Sequence, residues 1–112
     1  MSCDVELRTV RELCTDETYQ DVLCPPVPPE RVLEVRSVFS YDADNAPTYQ
    51  KLIVARGTTR FLLDHYEPGT GTKMKLFQGR YYVPEGCQIG VRFGGATTAD
   101  GLEVTINGLW LA

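Results

Sequence analysis

Asp42-Ala43-Asp44-Asn45 is the stretch whose residue types come nearest to a known chemistry. Carboxylate and amide oxygens at alternating positions open a helix-loop-helix calcium site, because a hard cation gathers oxygen ligands. Such a loop needs glycine at its sixth place and a bidentate glutamate at its twelfth. Here those places hold Pro47 and Ile53. The stretch therefore reads as a hairpin loop rich in turn formers. A calcium ion held by some other loop geometry is the lesser alternative, and no metal or other cofactor is expected.

His65 is the only histidine, so any Ser-His-Asp or Cys-His arrangement would have to use it. Its neighbour Asp64 stands on the opposite face of a strand and is poorly placed to orient it. No Gly-x-Ser-x-Gly or cysteine-protease signature accompanies it. His65 reads as a surface or rim residue, and the chain as non-enzymatic. The small-residue run from Gly94 to Gly101 lacks the Gly-Lys-Ser/Thr ending of a phosphate loop. Its glycines read as left-handed positions in a strand connection. The acids are spread through the chain, and no glycosidase-like pair stands out. Tyr81, Tyr82 and Trp110 could stack on sugar rings or anchor an interface. Adjacent Tyr81 and Tyr82 point to opposite sides of a strand, so only one can join a given face.

The elements that must carry these residues are strands. Gln88 to Phe93 places Ile89, Val91 and Phe93 on one face, and Leu102 to Ile106 repeats the period of two. Arg31 to Tyr41 is a long strand whose phase changes near Arg36-Ser37, which calls for a bulge. Tyr49 to Arg56 carries Leu52, Ile53, Val54 and Ala55, the mark of burial on both faces. Thr59 to Tyr66 follows the Gly57-Thr58 turn. Glu67 to Thr72 is a flexible loop by its glycines and proline. Lys73 to Phe77 and Arg80 to Val83 flank Gln78-Gly79 and read as a tight hairpin. In residues 1–24, Asp4 to Leu7 and Tyr19 to Leu23 read as short strands or an extended arm. Pro25, Pro26, Pro28 and Pro29 fix φ and remove backbone donors, so Cys24 to Pro29 is a stiff polyproline-like connector rather than a ligand for a proline-binding groove. The sum is one all-β domain, an antiparallel β-sandwich of about eight strands over 25–112 with an N-terminal arm or strand extension over 1–24.

Bulk composition narrows the function classes. A chain of 112 residues has room for one core. With 43% hydrophobic and 23% charged residues it is globular rather than disordered. Eleven basic residues against fifteen acidic ones give a net charge of -4, with the bases scattered among acids, which argues against nucleic acid as partner. No apolar run is long enough to span a membrane, and Met1 to Glu6 lacks the basic and apolar regions of a secretory signal. Cys3, Cys14, Cys24 and Cys87 have no metal-ligand spacing and are expected to be free thiols in a reducing cytosol.

The stretch from Pro29 to Leu111 resembles the small β-sandwich or jelly-roll structural proteins of tailed-bacteriophage virions, the head decoration (cement) proteins and related auxiliary proteins. The resemblance rests on PPERVLEVRSVFSYD and on YYVPEGCQIGVRFGGATTADGLEVTINGLWL. The second stretch is a strand, a turn at Pro84 and Gly86, an alternating strand from Ile89 to Phe93, and a loop ending in Asp100. A last strand with Gly108 and Trp110 closes it. It implies a protein made in the host cytoplasm that joins the virion as a homotrimer and binds the major capsid protein or another virion protein. Tyr81, Tyr82, Leu109, Trp110 and Leu111 are the candidate interface residues. The rival expectations are a tail-tip or fibre module recognising a cell-surface glycan and, behind it, a small β-barrel enzyme using His65.

Overall fold

The computed structural model describes residues 4–67 and 73–111. Eight strands follow one another: β1 (Asp4–Leu13), β2 (Tyr19–Leu23), β3 (Val32–Asp42), β4 (Tyr49–Arg56), β5 (Thr59–Tyr66), β6 (Met74–Val83), β7 (Gln88–Gly94) and β8 (Gly101–Leu111). They form two four-stranded antiparallel sheets, ordered β1-β8-β3-β6 and β2-β7-β4-β5. Every connection crosses between the sheets except the β4–β5 hairpin, where Gly57 takes φ +59° at the turn. This is the jelly-roll order, two interlocked Greek keys packed face to face. Among the described residues no helix is long and apolar enough to cross a membrane.

Period-two patterning explains the core. Ile89, Val91 and Phe93 of β7 face Leu102, Val104 and Ile106 of β8 across the sandwich, all essentially without solvent contact. Phe77 and Leu52 fill the space between them. In β3 the register slips between Val35 and Ser37, so Arg36 is an extra residue against β8. That bulge lets Leu33 and Val35 on one side of it, and Val38 and Ser40 on the other, all face inward. β4 is buried on both faces, with Ile53 and Ala55 covered on the side away from the core. At Gly108 the β3 and β8 backbones approach so closely that a Cβ would press into the Glu34 carbonyl. Glycine is needed there for lack of room rather than for its φ.

Two placements differ from the sequence reading or refine it. Gln78-Gly79 is not a hairpin turn: β6 runs unbroken from Met74 to Val83. Gly79 and Arg80 lie opposite the β3 bulge, between the pairs Val35↔Tyr81 and Ser37↔Gln78, so the glycine serves an irregularity inside a strand. Within residues 1–24, β1 pairs with β8 from Asp4↔Trp110 to Leu13↔Gly101, and β2 pairs with β7. Each is an edge strand of a sheet in the same chain. The proline segment runs beside the start of β7, held by Val27 N–H to the Cys87 carbonyl and Gly86 N–H to the Val27 carbonyl. Cys14, Cys24 and Cys87 are buried free thiols, and burial pushes the Cys24 thiol up to about 11. Cys3 and the loop expected over Glu67 to Thr72, apart from Glu67 itself, lie outside the described residues.

Candidate functional site

The outer faces of the two sheets differ in chemistry. On the β1-β8-β3-β6 sheet, the register lines up Val5, Leu109, Glu34 and Tyr82 in one row and Thr9, Thr105, Phe39 and Leu76 in another. Val5, Leu7, Leu13, Met74, Leu76 and Tyr82 are between 48% and 74% exposed there. The charges on this face are paired. Glu34 binds Arg80 at 2.9 Å, and Glu103 binds Arg11. What remains is an apolar surface of the kind that marks an interaction site.

β1 makes that surface unusual. Its inward positions are Glu6, Arg8 and Glu12 together with Val10, which packs against the core, and its outward positions are Val5, Leu7 and Leu13 together with Thr9 and Arg11. A strand on a sandwich edge normally turns its apolar row inward. Here the pattern is largely inverted, with Val10 as the exception. Glu6 accepts a hydrogen bond from Trp110 Nε1 at 3.1 Å and pairs with Arg8 at 2.8 Å beside the proline segment.

The outer face of the β2-β7-β4-β5 sheet carries polar and aromatic groups beside the exposed Leu62, which pairs with Ile53, and β5 also exposes Phe61 and Leu63. Asp21 accepts from Arg92 Nε at 2.7 Å and from Arg60 Nε at 2.9 Å. Burial alone would raise the Asp21 carboxyl, but these two guanidiniums outweigh it and hold the group below its ordinary value. The Arg92 guanidinium also lies 4.0 Å from the Tyr19 ring centroid. His65 stacks on Tyr49 with centroids 5.9 Å apart, and its Nε2 lies 3.2 Å from Glu67 Oε1. Its own backbone N–H, not its ring, binds the Asp64 side chain.

The five candidate interface residues divide between two faces. Tyr82, Leu109 and Leu111 belong to the apolar outer face, and Tyr82 and Leu111 are exposed on it. Tyr81 and Trp110 turn the other way and pack against the core. The Trp110 ring is further covered by the Arg31 guanidinium, 4.7 Å from its centroid. Tyr81, Tyr82 and Trp110 thus do not form one aromatic row.

A second cluster joins residues that the sequence reading left apart. Asp42 closes β3, Asp44 lies in the loop that follows, and Asp100 immediately precedes β8. One carboxylate oxygen from each lies within 4.8 Å of the others. Asp42 and Asp100 are buried and Asp44 is exposed. Asp42 Oδ1 accepts the backbone N–H groups of Asp44 and Asn45, each at 3.1 Å. Asp100 accepts from Asn45 Nδ2 at 2.8 Å and from Thr97 N–H at 3.0 Å, and Asp44 Oδ2 accepts from Gly101 N–H at 2.8 Å. Asp42 Oδ2 is buried without a hydrogen-bond donor. Among the described residues, no Lys or Arg forms an ion pair with any of the three. Burial first, and the neighbouring Asp100 second, push the Asp42 carboxyl up to about 6. The signal was present in the sequence: Val38, Ser40 and Asp42 continue one inward row, so a carboxylate was bound to enter the sandwich end. Its meeting with Asp100 depends on the jelly-roll crossover, which alternation does not reveal.

Comparison of the chain with protein-family models, with curated proteins and with solved structures finds no match.

Proposed function

We propose that this chain is a non-enzymatic structural protein of a tailed-phage virion, a capsid decoration (cement) protein. In this reading it is made in the host cytoplasm and joins the shell as a homotrimer. The inverted patterning of β1 carries the reading. Val5, Leu7 and Leu13 are apolar on the side away from the chain's own core, where another subunit would bury them. Copies of the chain and the major capsid protein are the partners that an assembled lattice offers. Each such side chain, once fully buried, contributes roughly 1.5–3 kcal/mol. Symmetric packing also covers the free edges of β1 and β6. Jelly rolls occur in capsid proteins and in lectins alike, so the fold by itself decides nothing. The β2-β7-β4-β5 face, with its Asp21, Arg60 and Arg92 cluster, would then remain towards solvent.

Light scattering under reducing conditions gives the solution mass, and co-sedimentation with tailed-phage shells gives binding. The expected results are a trimer, shell binding, and loss of both in a Leu7→Glu, Leu76→Glu double variant that still unfolds cooperatively. A monomer that ignores shells overturns the proposal.

A further inference from the structure

We propose that Asp42, Asp44 and Asp100 form a binding site for a calcium-class divalent cation, which ties the β3–β4 loop to the β7–β8 loop at one end of the sandwich. Three carboxylates converge within 4.8 Å, and no nitrogen or sulfur ligand belongs to the group. An all-oxygen donor set selects a hard cation over zinc or copper. The observation that separates this cluster from an ordinary acidic surface is Asp42. Its side chain has no solvent exposure, its Oδ1 is taken up by two backbone N–H groups, and its Oδ2 is left without a donor. A buried, unpartnered carboxylate oxygen is costly, and native proteins supply it with a donor, a proton or a metal.

The other two carboxylates stand beside that of Asp42. Asp44 and Asp100 are each fixed from behind by protein donors: Gly101 N–H on Asp44, and Thr97 N–H and Asn45 Nδ2 on Asp100. These donors orient the carboxylates and leave lone pairs for a central ion, the role that outer partners play around a metal. Calcium tolerates irregular oxygen geometry and accepts water and carbonyl oxygens to complete its shell, whereas magnesium demands a near-ideal octahedron. The residues come from the end of β3, the β3–β4 loop and the β7–β8 loop, an irregular set of positions of the kind that calcium tolerates. The site is independent of the apolar face, and its failure would leave the assembly reading untouched.

The test uses the whole chain at about pH 7.5, with calcium chloride and EDTA as the two conditions. A site with a dissociation constant of about 0.1 mM raises the thermal midpoint by about 10 °C in ~10 mM calcium. Terbium luminescence, sensitised by Tyr41 next to Asp42, should report one ion per chain and be displaced by calcium. Asp42→Asn keeps the Oδ1 acceptor for both backbone N–H groups, so it should fold and lose both responses. Asp44→Asn should weaken them. Equal midpoints in calcium and EDTA, with no terbium signal, would overturn the proposal and leave a proton shared between Asp42 and Asp100 as the cluster's only occupant. A calcium shift that survives in Asp42→Asn would overturn it as well, by placing the ion elsewhere. A larger shift with magnesium than with equal calcium would overturn the choice of ion.

Discussion

Replacing Asp42 by asparagine should stabilise the metal-free protein, and only at neutral and higher pH. The folded chain holds the Asp42 carboxyl at about 6, against an ordinary value of 3.8, because burial first, and a hydrogen bond shared with Asp100 second, favour the protonated form. Below the ordinary value both folded and unfolded chains are protonated, and the group costs nothing. As pH rises from about 4 to about 6, the unfolded chain releases its proton and the folded chain keeps it, so the native state loses stability. Once pH exceeds about 6 the loss is complete, and the shift corresponds to up to about 3 kcal/mol. Asparagine has no such titration and still accepts the Asp44 and Asn45 N–H groups. Urea unfolding of both proteins in EDTA, at steps from about pH 3.5 to about pH 7.5, gives the difference directly. The expected curve starts near zero and climbs to a plateau in favour of Asp42→Asn. A difference that stays constant across this range within about 0.5 kcal/mol would refute the account of Asp42 as a buried, opposed carboxylate.

Two further substitutions probe the backbone. Ala99 sits at φ +73° in the β7–β8 loop, where an L side chain is strained by roughly 1–2 kcal/mol. Ala99→Gly should therefore raise stability by about 0.5–1 kcal/mol after the added freedom of the unfolded chain is subtracted, read as a higher urea midpoint at unchanged slope. Gly108→Ala should do the reverse. Its Cβ meets the Glu34 carbonyl, and separating β3 from β8 to admit it should cost about 2–3 kcal/mol; a loss under about 0.5 kcal/mol would mean that the strands have slack.

Strand identity was legible wherever one face alone was apolar. β7 and β8 alternate cleanly, and the phase change in β3 marks a bulge or bend near Arg36-Ser37, where the structure has a bulge. β6 misled because Gln78-Gly79 has hairpin chemistry. The glycine instead sits opposite that bulge, where a Cβ would press on the Tyr81 ring of the same strand. The aromatic candidates divided as their spacing requires, Tyr82 outward and Tyr81 inward. Trp110 continues the inward row of Leu102, Val104 and Ile106, so alternation carries its direction, whereas its partners Glu6 and Arg31 come from distant segments and were not legible. The carboxylate cluster was half visible: the acidic loop stood out, but Asp100 joins it only through the order of the sheets.

The strand order also fixes a sequence of events. β8 occupies the middle of its sheet, between β1 and β3, yet it follows every other strand in the chain. During synthesis β1 therefore has no neighbour to pair with, and β3 can pair only with β6. The first sheet gains its centre when the last strand arrives, and contacts so distant in sequence close slowly. Until then Val5, Leu7 and Leu13 lie on an unanchored strand. Shortened chains that lack β8 would present these residues with no sheet behind them and would be prone to aggregate.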